Sequence, residues 1–255
     1  MKKRRNYAVY TLSVTALMIA VMFLFGFTPI GTIQTGTLTI TLMGIPVSII
    51  ACIFGPWMGL LAGTIWGFIS ILQAVLGMDA TALLLQSCVA KGEITALRYW
   101  AGLICMCLIA RMLVGFFTGL IHDAIKIKDK KGYFATFISS ACTALLNTIL
   151  FMTTFCLFFY NTPAIDQLGT FANPFVFVFA IIGVNFIVEF IVNSLAGSTI
   201  VFILEKTATK LNINSNFMHF FTKHTAENKS IHASPVSITG TDFSEKHQSW
   251  NHEDK

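Results

Sequence analysis

Long stretches of this chain are nearly free of charge, and most are about as long as a membrane is thick. A bilayer hydrocarbon core measures about 30 Å and takes about 20 apolar residues as a helix. Six spans are expected on that basis: Tyr7–Phe27, Leu38–Phe54, Trp57–Leu76, Cys105–Ile125, Phe134–Tyr160 and Pro174–Leu204. Of the 255 residues, 55% are hydrophobic and 11% are charged, where an ordinary soluble domain carries about 25% charge. That balance excludes a soluble enzyme, a chain disordered over most of its length, and nucleic-acid binding as the main task. The expected fold is an all-α membrane protein, a six-helix bundle over residues 1–211, followed by a polar segment over 212–255.

The few charges fall in clusters. Lys2, Lys3, Arg4 and Arg5 precede the first apolar run, Lys126, Lys128, Lys130 and Lys131 form a second group, and Lys206 and Lys210 follow the last run. With six spans, all three clusters lie on one side. Cytoplasmic loops carry the excess of Lys and Arg, so both termini are expected in the cytoplasm. The opposite loops hold only Lys91 and Arg98 as cations, beside Asp79, Glu93 and Asp166. The first run is too long for a signal-peptide core and lacks a small-residue cleavage site at its end, so it is expected to remain as a helix.

Three segments are not spans. Thr28 to Thr37 reads TPIGTIQTGT and merges into the β-branched stretch Leu38-Thr-Ile-Thr-Leu42, which suggests an ordered, extended outer loop able to cap a site. Gly77 to Ile104 has mixed polarity, and part of it suits an interfacial helix. The segment from Asn212 onward holds five of the six histidines, four Lys and five acids among scattered Ser and Thr. It lacks the apolar surface that offsets the entropy of ordering and is expected to be a disordered cytoplasmic tail. The cysteines lie mostly in apolar runs, where Cys acts as a small hydrophobe. Nucleotide-binding loops, zincin and nucleophile-elbow motifs are all absent, so neither ATP hydrolysis nor a cofactor or metal is expected of this chain.

Away from the span ends, Arg111 and Glu189 are the charged residues inside the apolar runs. An ion in hydrocarbon costs at least about 2.5–3.5 kcal/mol on insertion scales and should face a polar interior or a partner. Lys126 lies 15 residues beyond Arg111, roughly 22 Å along a helix, which puts Arg111 in the outer half of its span. Asn185, Glu189 and Asn193 recur at four-residue spacing and share one helix face. Asn147, flanked by Thr143 and Thr148, is the strongly polar residue of the fifth span.

One reading is a pocket for a small, polar, anionic ligand. Arg111 would clamp a carboxylate, the amides would meet hydroxyl and amide groups, and Glu189 would accept from the ligand or orient Arg111. Gln34 in the capping loop completes the candidate set. The competing reading is a structural Arg111–Glu189 pair with Asn residues bonding helix to helix. Small residues mark close helix contacts: Ala16 and Ala20 in the first span, Gly55, Gly59 and Gly63 around the third, Gly115 and Gly119 in the fourth. The Gly rows suit packing within the bundle, and the Ala16/Ala20 face suits a separate subunit equally well. Trp57, Trp66 and Trp100 fit interfacial belts better than a binding site.

Several segments, in this order, resemble the substrate-binding (S) components of energy-coupling factor (ECF) vitamin transporters. They are TPIG…LTITLMGIPVSI from Thr28 to Ile49, FGPWMGLLAG from Phe54 to Gly63, ARMLVGFFTGLI from Ala110 to Ile121, ALLNTILFM from Ala144 to Met152 and VNFIVEFIVNSLAG from Val184 to Gly197. The resemblance covers roughly residues 7–205 and is nearest to the pantothenate-type members. It implies a non-enzymatic bundle that binds a vitamin near its outer face under the first outer loop. It also implies a membrane coupling subunit, met through Ala16 and Ala20, and two cytoplasmic ATPases. In this mechanism the loaded bundle topples within the membrane as the ATPases turn over. A folate-type member, another water-soluble vitamin, or a stand-alone carrier using Glu189 as a proton site are the alternatives. Gly77 to Ile104 is longer than the loop such a bundle leads one to expect.

Overall fold

The computed structural model describes residues 2–28, 31–35, 38–127, 129, 133–160, 162 and 186–210, and structural statements below concern these alone. Asn185 and the segment 212–255 lie outside them. In chain order the elements are α1 (Lys2–Phe27), β1 (Thr32–Thr35), β2 (Leu38–Thr41), α2 (Gly44–Phe54), α3 (Pro56–Val75), α4 (Ala80–Ala90), α5 (Ala96–Ile104), α6 (Ala110–Lys126), α7 (Tyr133–Phe159) and α8 (Ser198–Lys210). A π-turn at Cys105–Ile109 joins α5 to α6, and a second at Asn193–Gly197 leads into α8.

Five helices are long and apolar enough to cross a membrane: Val9–Phe27, Pro56–Val75, Ala96–Lys126, Tyr133–Phe159 and Phe186–Thr207. Three of them start and end within a few residues of expected spans, and the other two match at their ends. The expected span Leu38–Phe54 is different. Its first four residues form strand β2, and its helix, α2, has only 11 residues, about 16 Å of rise. The alternation Leu-Thr-Ile-Thr favours extended backbone, and the helix starts afresh at Gly44-Ile-Pro, where a proline in the first turn removes an N–H that has no helical partner anyway. Nearly every side of α2 is buried, because α1, α3, α6 and α7 all pack on it. A helix apolar all round belongs in such a place, and α2 is the axis of the bundle.

The expected fourth span also changes. Its helix begins at Ala96, nine residues before Cys105, and runs on to Lys126. Arg111 therefore sits midway along this rod, not in its outer half. The mixed polarity of 96–104 hid the helix, since Tyr99 and Leu103 face inward while Leu97, Trp100 and Ile104 face out. The rest of the segment Gly77 to Ile104 is helix α4, capped at its start by the Asp79 carboxylate, which accepts from the Ala82 N–H at 2.8 Å. Arg98 ties α5 to the end of α7, its Nε donating to the Phe158 carbonyl at 2.6 Å.

After α1, the described residues form an antiparallel pair of strands with Thr32 opposite Thr41 and Gln34 opposite Thr39. The roots of this hairpin are held by helices. Gln73 of α3 donates from Nε2 to the Gly26 carbonyl at 2.6 Å, and the Leu42 N–H donates to the Gly31 carbonyl at 2.9 Å.

The glycine rows pack inside the bundle. A Cβ at Gly59 would collide with the Gly115 carbonyl, one at Gly63 with the Arg111 carbonyl, and one at Gly119 with Pro56. Without side chains at these positions α3 and α6 approach backbone to backbone, as small residues allow in membranes. Ala16 and Ala20 instead lie on the exposed side of α1.

Candidate functional site

The close α3–α6 contact decides where Arg111 goes. Its backbone is pressed against Gly63, so its side chain leaves the seam beside Trp66, one turn further along the same face of α3. The guanidinium lies over the Trp66 ring at 5.0 Å and over the Phe151 ring of α7 at 5.8 Å. Flat guanidinium groups favour such faces. The residue is 9% exposed.

The π-turn supplies the cation with acceptors. Nη1 of Arg111 donates to the Met106 carbonyl at 3.1 Å and lies 3.5 Å from the Cys107 carbonyl. A π-turn shifts carbonyls out of the regular helical pattern, and such turns occur often at functional sites. Among the described residues the hydrogen bonds of Arg111 leave from Nη1. Nε is buried and has no partner. The group lies against two aromatic rings and one nitrogen is engaged, while the buried Nε keeps its donor unused among the described residues.

Glu189 lies on the final helix, 6% exposed. One carboxylate oxygen accepts from the Thr41 N–H at 2.9 Å. Asn147 and Arg111 both lie near enough to the carboxylate to act on it electrostatically. Among the described residues no ion pair joins Arg111 to Glu189. The structural pair considered above is therefore absent as a direct contact. Asn193, one turn beyond Glu189, donates from Nδ2 to the Glu189 carbonyl at 2.9 Å. Its Oδ1 has no partner and its amide rests on Gly44.

Arg111, Asn147 and Glu189 thus come together, with Asn193 a turn away. Gln34 lies in β1, and its side chain, like Asn185, falls outside what is described. The arrangement offers one free cationic edge, amide groups and a carboxylate, enclosed by two aromatic rings and the base of a hairpin. Such a set can bind a small polar molecule, and nothing in it resembles a nucleophile with its base.

A sequence profile of the family described as ECF transporter, substrate-specific component, matches residues 11–204. The chain belongs to this family. No curated protein matches it. The chain is therefore a multi-pass membrane protein and the substrate-specific subunit of an ECF transporter, a transport component rather than an enzyme, which takes a small-molecule substrate and works with the ECF module.

In this substrate-specific component, sequence reasoning missed three members of the site. Trp66 was assigned to an interfacial belt, yet it is 1% exposed and underlies Arg111. It shares the face of Gly59, Gly63 and Gly67, and that glycine row was a usable sign that Trp66 looks toward α6. Phe151 follows Asn147 by one turn, so the polar Asn marked its face as well. Thr41 contributes its backbone N–H, and no residue type advertises that role.

A second polar group lies further along the same helices. The Thr118 and Thr143 hydroxyls are 3.1 Å apart. His122, one turn past Thr118, is fully buried, and neither ring nitrogen has a hydrogen-bond partner. The Ser140 hydroxyl is likewise buried and unpartnered.

Proposed function

We propose that this chain is the vitamin-binding subunit of an ATP-driven uptake transporter, and that its vitamin is pantothenate. The observation that carries the reading is the unpartnered, buried Nε edge of Arg111 between two aromatic rings. A carboxylate is the complement of that edge, since guanidinium and carboxylate form paired, charge-assisted bonds. Pantothenate carries one carboxylate, an amide and hydroxyl groups, which suit Arg111, Asn147, Glu189 and Asn193, with Asn185 and Gln34 as further candidates. Folate and other carboxylate vitamins are the rival ligands within the same reading.

The remaining assignments accompany it. The protein sits in a bacterial plasma membrane with both termini in the cytoplasm, six helices counting α2, and a disordered tail over 212–255. Ala16 and Ala20 are exposed on α1, which supports them as the contact with the membrane coupling subunit, itself driven by two cytoplasmic ATPases. Mass spectrometry of small molecules that co-purify with the protein, followed by calorimetric titration with pantothenate, tests the reading. Co-purified pantothenate and saturable binding are expected. Recovery of a different vitamin, or no heat with pantothenate, would overturn the substrate. Undiminished uptake in cells lacking the ATPases would point to a stand-alone carrier instead.

A further inference from the structure

The Arg111 cation and the Glu189 carboxylate share one buried site yet make no direct ion pair. In a low-dielectric interior opposite charges attract strongly, so a carboxylate that does not pair with the buried cation needs something else to hold it. The structure contains that something. Glu189 accepts from the Thr41 N–H at 2.9 Å, a bond across 148 residues of sequence. Thr41 is the last residue of β2, and the other hairpin root is held by the Gln73 bond to the Gly26 carbonyl. The two roots also pack together, for a Cβ at Gly26 would strike both Met43 and Ile69. β2 reaches α4 as well. The hairpin is therefore pinned to the bundle at two points, on α3 by Gln73 and on the final helix by Glu189.

We propose that Glu189 is a positioning residue: its bond to the Thr41 N–H holds the hairpin against the final helix and keeps the carboxylate off Arg111, leaving the Arg111 edge free for the ligand. This inference rests on the proposed binding site in one respect, that the hairpin closes over Arg111, and it changes the part given to Glu189 from ligand contact to anchor. A backbone N–H bound to a carboxylate is a charge-assisted bond. Its acceptor is an oxygen, which glutamine also offers and alanine does not. With the anchor broken, the hairpin root opens more often and the ligand leaves faster, while Arg111 itself is untouched.

Hydrogen exchange on the purified, ligand-free protein in detergent tests this, read on the peptide covering residues 31–43. Glu189→Ala is expected to speed exchange at Thr41 by about tenfold or more, the loss of a bond worth about 1.5 kcal/mol or more. Glu189→Gln should stay within about threefold of wild type, since it keeps the acceptor. Thr41→Pro removes the donor and leaves the carboxylate in place, so it should raise pantothenate dissociation as Glu189→Ala does. This variant keeps the test decisive if Glu189→Ala fails to fold. Arg111→Ala should leave exchange over 31–43 unchanged. Wild-type exchange in Glu189→Ala, or exchange in Glu189→Gln as fast as in Glu189→Ala, would overturn the anchor. Failure of pantothenate to bind any variant would sink the substrate assignment alone, because the exchange measurement involves no ligand.

Discussion

Two polar regions lie along α6 and α7, and they are built by different rules. Near the hairpin, Arg111, Asn147 and Glu189 bring full charges into the bundle, and their partners come from backbone in other elements: the Met106 and Cys107 carbonyls and the Thr41 N–H. One turn and more further on, Thr118, His122, Ser139, Ser140 and Thr143 bring no fixed charge. Two of the four hydroxyls are satisfied within their own helix, Ser139 on the Ala135 carbonyl at 2.6 Å and Thr143 on the Ser139 carbonyl at 3.0 Å. A helix can satisfy a hydroxyl by itself, but it cannot satisfy an ion. The charged region therefore needs a π-turn, a hairpin and two aromatic rings arranged around it. That demand is what makes it the candidate for ligand binding, while the neutral region reads as packing between α6 and α7.

Gly63→Val would break the comparison most severely, because the new Cβ meets the Arg111 carbonyl and both regions depend on α6 staying against α3. Loss of several kcal/mol is expected, of the order seen for overpacked cores or more, as a fall in apparent unfolding temperature together with loss of binding. A variant with wild-type melting and binding would show that the glycine seam does not set the site. Arg111→Ala should separate the regions. Pantothenate affinity, measured by calorimetry, should drop by roughly 2–5 kcal/mol, the cost of removing one member of a buried charge pair, with little change in unfolding temperature. Arg111→Lys should lose most of the same affinity, because a lysine cannot offer a paired planar edge or stack between Trp66 and Phe151.

His122→Leu sharpens the other side. Both ring nitrogens are buried without hydrogen-bond partners among the described residues, and Nδ1 lies 3.8 Å from an Asp123 carboxylate oxygen, so an apolar residue should alter stability by less than about 1.5 kcal/mol in either direction and leave pantothenate affinity within about twofold. Affinity lost as completely as in Arg111→Ala would join the two regions into one site. Thr118→Val should have the smallest effect, about 0.6 kcal/mol of stability, typical of a single interhelical hydrogen bond in a membrane bundle. Its checking measurement is a double-mutant cycle with Thr143→Val, which returns no coupling if the 3.1 Å contact carries no energy.

How much of this was legible beforehand differs by element. Long apolar helices announce themselves, and α1, α3 and α7 begin and end close to the expected bounds. α2 and the start of α5 were misjudged for opposite reasons. The apolar run over 38–54 is continuous in composition but not in backbone, since β-branched alternation and then Gly44-Ile-Pro46 divide it into strand and helix. The stretch 96–104 is broken in composition but continuous in backbone, since it forms the first turns of the helix Ala96–Lys126. In the site, Arg111, Asn147 and Glu189 were singled out by being polar where polarity is costly. Trp66 and Phe151 were not, since an aromatic residue in a membrane span is ordinary, and only its helix face tells whether it looks at lipid or at a cation.

By itself the sequence determined that this chain lies in a membrane, which residues carry charge into it, and which glycine rows let helices touch. These are matters of composition and spacing, and the bilayer's thickness and low polarity act on them directly. Only the tertiary structure decided that Arg111 stacks between two rings with one edge unpartnered, and that Glu189 turns to the Thr41 N–H instead of pairing with it. Those outcomes depend on backbone groups brought together from distant parts of the chain, and every residue carries the same backbone N–H and C=O, so no pattern of side chains can announce them.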